Sequence, residues 1–193
     1  MKQVVVLISG NGSNLQALID NQTYLNASIS LVVSNKKNAL GLERASKHGI
    51  KSLYFPISSS SNRAQYNIDL ADLLLNTLGR QPDLIVLAGF MFILSPDFLS
   101  KFTCGILNLH PALPNQYDGT NAIERAFEDS KTKGLRVTGV MVHYVVQEVD
   151  KGKPICLQQV DIFENDCILD LKERIHKVEH EIIVKGVKAA LDV

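Results

Sequence analysis

The segment Ile106-Leu107-Asn108-Leu109-His110-Pro111 sets two polar side chains two residues apart at the end of an apolar run. In a strand, that spacing puts both on one face. A carboxylate, Asp150, follows in the turn Val149-Asp150-Lys151-Gly152. An amide, an imidazole and a carboxylate, with no evident serine or cysteine nucleophile, suit the addition of an external nucleophile to a carbonyl. Asn108 would donate to the developing oxyanion. His110, held protonated by Asp150, would donate as well or relay a proton. A strand histidine alone is more often structural, so the argument rests on its company. A metal would need a third close ligand; His143 and Asp150 are available, but no H-x-x-x-H or H-E-x-x-H spacing occurs, and no metal is expected.

A second candidate site is the turn Gly10-Asn11-Gly12-Ser13-Asn14. Asn11-Gly12 taken alone is a hairpin signal. Here Ser13 and Asn14, both good helix caps, open a helical pattern, so the turn joins a strand to a helix. Gly10 and Gly12 let a ligand approach the backbone closely, and unpaired amides at a helix start favour an anion. Leu15 stands where a dinucleotide motif needs its third glycine, and no Gly-Lys-Ser/Thr follows. A mononucleotide-type phosphate is the expected occupant, against the plainer reading of a packing turn.

The elements that must carry these residues follow from hydrophobic period. Apolar runs at Val4–Ile8, Ile29–Val33, Leu53–Phe55, Leu84–Ala88 and Ile106–Leu109 read as strands, and helices are expected near 14–21, 40–48, 63–79 and 96–101. Runs that are apolar throughout predict burial on both faces, hence a Rossmann-like, doubly wound, mostly parallel α/β sheet. Segments 134–145 and 153–163 alternate like an antiparallel pair, giving a mixed C-terminal part. From Ile168 a long amphipathic C-terminal helix is expected, capped by Asn165 or Asp166. The serine run Ser58–Ser61 reads as a surface loop.

The chain has 193 residues, 46% apolar and 21% charged, with 20 Lys+Arg against 20 Asp+Glu. One domain over 1–193 is expected, since a domain takes roughly 150 residues. The charge balance argues against a nucleic-acid partner, and no run approaches a signal core or membrane span, so a cytoplasmic protein is expected. Cys104, Cys156 and Cys167 form no C-x-x-C pair and read as reduced, mostly buried thiols.

In order and spacing, SGNGSNLQALID, PDLIVLAGFMFILSP, LNLHPALP and the V-x-D turn resemble glycinamide ribonucleotide formyltransferase, the folate-dependent transformylase of purine synthesis, over nearly the whole chain. The resemblance implies a formyltransferase fold and small-molecule substrates. Asn11, Gly12, Ser13 and Asn14 would hold the 5′-phosphate of glycinamide ribonucleotide, and Glu179 its attacking amine; outside the family, Glu179 would read as a solvated helix charge. Arg63, Met91, Phe92, Ile93, Leu94 and Val146, with Asn108 and Asp150, would embrace the folate. The co-substrate is 10-formyltetrahydrofolate, consumed rather than tightly bound. The amine would attack its formyl carbon, with Asn108, His110 and Asp150 catalytic. The chain departs from the family's usual pattern at HPALPNQYDG, where a proline comes early, at Phe92, and at DKGKP, one residue longer. Related formyltetrahydrofolate enzymes share the N-x-H…D pattern. Among them the deformylase, in which water replaces the amine, is the alternative.

Overall fold

The computed structural model describes residues 1–57 and 62–192, so the serine run expected as a loop lies outside the described residues. In chain order the elements are β1 (Lys2–Ile8), α1 (Ser13–Asp20), α2 (Gln22–Leu25), β2 (Ala27–Ser34), α3 (Leu40–Lys47), β3 (Ser52–Tyr54) and α4 (Arg63–Leu78). Then come β4 (Leu84–Leu87), α5 (Pro96–Leu99), β5 (Gly105–His110), α6 (Ala122–Thr132), β6 (Val137–Tyr144), β7 (Pro154–Asp161) and α7 (Ile168–Leu191). The strands form one sheet ordered β3-β2-β1-β4-β5-β6-β7. The first five are mutually parallel; β6 pairs antiparallel to β5, and β7 antiparallel to β6.

Why β1 is apolar throughout is visible in its two packing partners. Val4, Val6 and Ile8 face a core shared with Leu15 and Leu18 of α1 and Ile175, Ile182 and Ile183 of α7. Val5 and Leu7 face the opposite core with Tyr66, Leu70 and Leu74 of α4 and Phe98 of α5. Each such side chain contributes about 1.5–3 kcal/mol when fully buried, so the strand is stabilised from both layers. Among the described residues no helix is long and apolar enough to cross a membrane.

Four local expectations are corrected. The cap of α1 is Gly12 in the left-handed region (φ 74°), not Ser13 or Asn14, which lie inside the helix. The cap of α7 is Cys167, whose amide donates to Asp170 Oδ2 at 2.8 Å in a capping box; Asp166 instead accepts from Phe163 N and Arg174. Cys104 and Cys156 are half-buried and Cys167 is exposed, so the thiols are free but not mostly buried. Helices α2 and α6 lie where none was expected. The buried positions of α6 include Ala122, Ile123 and Ala126, and two alanines leave little of an apolar stripe to detect.

Candidate active site

Antiparallel register places Asn108 of β5 directly opposite His143 of β6. The loop after β6 then folds back to deliver Asp150, whose own φ is 56°. Asn108 Nδ2 lies 3.2 Å from Asp150 Oδ1 and 3.2 Å from His143 Nε2. His110 Nδ1 is 3.5 Å from Asp150 Oδ2, which also accepts from the Gly119 amide at 2.8 Å. The His143 Nδ1 group meets the Tyr144 carbonyl at 2.9 Å. His143 Nε2 also lies 3.5 Å from Asp150 Oδ1, so the Asn108 amide and the His143 ring converge on one carboxylate oxygen. His143 thereby orients Asn108, a role hidden in the sequence because it needs the β5–β6 register.

Both nitrogens of His110 face acceptors, for Nε2 is 3.4 Å from the Gln116 carbonyl. Yet burial is the largest influence on the ring, which is 3% exposed, and it outweighs Asp150, leaving the pKa below the ordinary 6.5. Burial thus works against the expectation that Asp150 holds His110 protonated, and favours the neutral ring. For Asp150, burial raises the pKa, but the His143 ring, the Gly119 amide and His110 together carry it below the ordinary carboxylate value, so it is ionised.

These residues form one end of a cavity of about 500 Å³. Its apolar wall includes Met91, Phe92, Ile93 and Leu94 from the loop after β4, with Val146 and Val149 across from them. Arg63, the first residue of α4, stands at its rim with its guanidinium 5.1 Å above the Phe92 ring. The structure thus gathers the catalytic candidates and all the candidate folate residues around one space. The 10–14 turn and Glu179 are not part of its lining.

Those residues lie in the other layer. At Gly12 an added Cβ would fall 2.6 Å from Gly41 Cα, so both the positive φ and the contact with α3 require glycine. The Gln16 amide bonds to the Gly12 carbonyl, and α1 has no side-chain cap. The amides of Ser13 and Asn14 are thus left at the helix start for a ligand. The Asn11 side chain is turned aside, its Oδ1 accepting from Arg44 at 3.1 Å. Asn14 donates to Glu179 Oε2 at 3.1 Å, while its own Oδ1 is buried without a partner. Glu179 is 6% exposed, not a solvated charge, and burial pushes its carboxyl up to about 7 against the bond from Asn14.

Alternation decides how the halves meet. Leu107 and Leu109 face the α1–α7 core and Ile106 faces the α4 core, so Asn108 and His110 belong to the α4 side. The 10–14 turn follows β1 and His110 ends β5, so both stand at the carboxyl edge of the parallel strands, the edge where α/β ligands bind. Ser9 ties the edge together: its amide donates to Gly89 O at 3.0 Å and its Oγ accepts from Met91 N at 2.7 Å.

A doubly wound sheet of this form has its counterpart in known proteins. Residues 2–187 match the family described as Formyl transferase, and the chain belongs to that family. Within it, the chain is similar to the phosphoribosylglycinamide formyltransferase of Dictyostelium discoideum, 43% identical over 96% of each chain. The Schizosaccharomyces pombe enzyme of the same name is 45% identical over 95% of this chain and 94% of the relative. The crystal structure of glycinamide ribonucleotide transformylase 1 from Symbiobacterium toebii superimposes with a TM-score of 0.89 at 34% identity, covering 97% of this chain and 86% of that one.

Proposed function

We propose that the chain transfers the formyl group of 10-formyltetrahydrofolate to the amine of glycinamide ribonucleotide, in purine synthesis in the cytoplasm. The observation that carries this reading is the Asn108–His110–Asp150 cluster closing the end of the apolar cavity, at the edge where the helix-start amides of Ser13 and Asn14 also emerge. The cavity's apolar wall suits a flat pterin, and Arg63 suits the acidic tail of a folate. The turn suits the 5′-phosphate, and Glu179 the glycinamide amine.

In the reaction, the neutral amine attacks the formyl carbon and opens the carbonyl to a tetrahedral oxyanion. The nitrogen sheds its proton to neutral His110, and the imidazolium so formed has Asp150 Oδ2 and the Gln116 carbonyl at its two nitrogens. Asn108 donates an amide hydrogen to the oxyanion. His110 then returns the proton to N10 as the carbon–nitrogen bond breaks, releasing tetrahydrofolate and the formylated ribonucleotide. Asp150 sets the ring's orientation and answers its charge.

The test is to mix the purified protein with 10-formyltetrahydrofolate and either glycinamide ribonucleotide or water, and to follow tetrahydrofolate release. Release that requires the ribonucleotide is expected, and release without it overturns the assignment. His110→Ala and Asp150→Asn are each expected to lower kcat by about 100-fold or more with ribonucleotide affinity nearly intact; normal rates would remove both from the mechanism.

A further inference from the structure

The catalytic cluster is held from outside by a single loop, 115–121, between β5 and α6. Gln116 presents its carbonyl to His110 Nε2, and Gly119 presents its amide to Asp150 Oδ2. The loop's backbone is unusual: Asn115, Tyr117, Gly119 and Asn121, every second residue, have φ between 52° and 82°. Asparagine tolerates that region at 115 and 121, but Tyr117 does not adopt it readily, so contacts from elsewhere must maintain the turn there.

Most of those contacts come from α6. The Arg125 guanidinium donates to the carbonyls of both Tyr117 and Asp118, the second at 2.8 Å. It also lies 5.6 Å from the centre of the Tyr117 ring. Tyr117 in turn donates its hydroxyl to Asp129 Oδ2 at 2.8 Å. Arg125 does not line the cavity, so it cannot act on substrate directly. Its two carbonyl partners are consecutive residues lying between the two that grip His110 and Asp150, and a single guanidinium nitrogen, Nη2, bridges both.

We propose that Arg125 is a positioning residue for formyl transfer, holding the 115–121 loop in the form that keeps His110 and Asp150 in register; this rests on the reaction assigned above. Releasing the loop would withdraw the Gly119 amide from Asp150 and the Gln116 carbonyl from His110, and would admit water to both. The charged and titratable groups facing His110 are Asp150 and His143 on the sheet side and Asp118 on the loop. Burial is the largest influence on the ring, so hydration should move its titration upward, towards 6.5.

The test uses Arg125→Ala and Arg125→Lys in the full chain. Arg125→Ala is expected to lower kcat about 10- to 100-fold, as a misplacement of about 1 Å does, with both KM values little changed. Arg125→Lys should recover part of the loss, since one carbonyl can still be held. An unchanged kcat in Arg125→Ala, or a fall that only tracks the folded fraction measured by circular dichroism, would overturn the proposal. Imidazole ¹⁵N NMR titration of His110 without substrate separates this idea from the reaction assignment. An upward-shifted midpoint in Arg125→Ala supports the clamp whatever the parent's activity, and an unmoved midpoint refutes it. A parent that forms no product with the ribonucleotide would instead defeat the assigned reaction.

Discussion

Glu179→Gln should remove one pH-dependent contribution to stability, with a sign fixed by burial. The folded protein holds the Glu179 proton up to about pH 7, whereas an ordinary glutamate releases it near 4.5. Below pH 4.5 both folded and unfolded chains carry the proton, and the residue imposes no ionisation penalty. Between 4.5 and 7 the unfolded chain ionises first, so stability falls as pH rises; above 7 the loss is complete. At about 1.36 kcal/mol per pH unit over that interval, the full penalty is about 3 kcal/mol. Glutamine can still accept the bond from Asn14 Nδ2, so that contact survives. Any offset from its amide group is constant with pH, so the pH dependence of the difference is the quantity to read. Urea unfolding of parent and variant from pH 4.5 to 8.5 should show the variant gaining relative stability through the window and levelling off above about pH 7.5. A difference that is flat, or that shrinks as pH rises, would refute the burial of an ionisable carboxyl at this position.

Gly12→Ala is expected to destabilise the fold by about 2 kcal/mol or more, because a left-handed alanine alone costs about 1–2 kcal/mol and its Cβ meets the Gly41 backbone. Weakened ribonucleotide binding should accompany the loss, and a variant with parental urea midpoint and KM would show that the turn tolerates a side chain. Cys167→Ser should raise stability by about 0.5–1 kcal/mol, since serine is a better helix cap than a thiol. A rise in Tm of a few degrees is the expected reading, and a fall would mean that the Cys167 sulfur packs better than it caps.

How much of this was legible in the sequence depends on what each feature required. The mostly parallel sheet was accessible because Val4–Ile8 and Leu84–Leu87 are apolar on both faces, as in a sheet covered by helices on either side, whereas the strand order was not. Asn108, His110 and Asp150 were legible from residue type and spacing. The charge state of His110 was not, because it depends on how much water the surrounding layers exclude. Glu179 illustrates the same limit: within a polar stretch of α7 it reads as solvated, and only the packing of α1 against α7 buries it beside Asn14. Arg125 was illegible for a different reason. Its partners are backbone carbonyls of a loop, and the left-handed turn at Tyr117 that presents them has no signal in its residue type.

The site's two layers hold their protons differently, and the proposed reaction uses that difference. A glycinamide amine arrives largely as an ammonium and must lose one proton before it can attack and another as it does. Glu179, with its carboxyl near 7, is matched at neutral pH to take the first at the ribotide end. His110, whose burial favours the neutral ring, is free to take the second at the formyl end. Had Asp150 dominated and kept the ring protonated, that second proton would have no acceptor on the imidazole. It follows that kcat should decline on the acid side first as Glu179 is protonated near 7 and again as pH falls through the lowered His110 pKa, and that Asp150→Asn, which removes a charge favouring the imidazolium, should move the second limb further down. A second limb that moved up, or vanished, in the residual activity of Asp150→Asn would show that the proton leaves by a route other than His110.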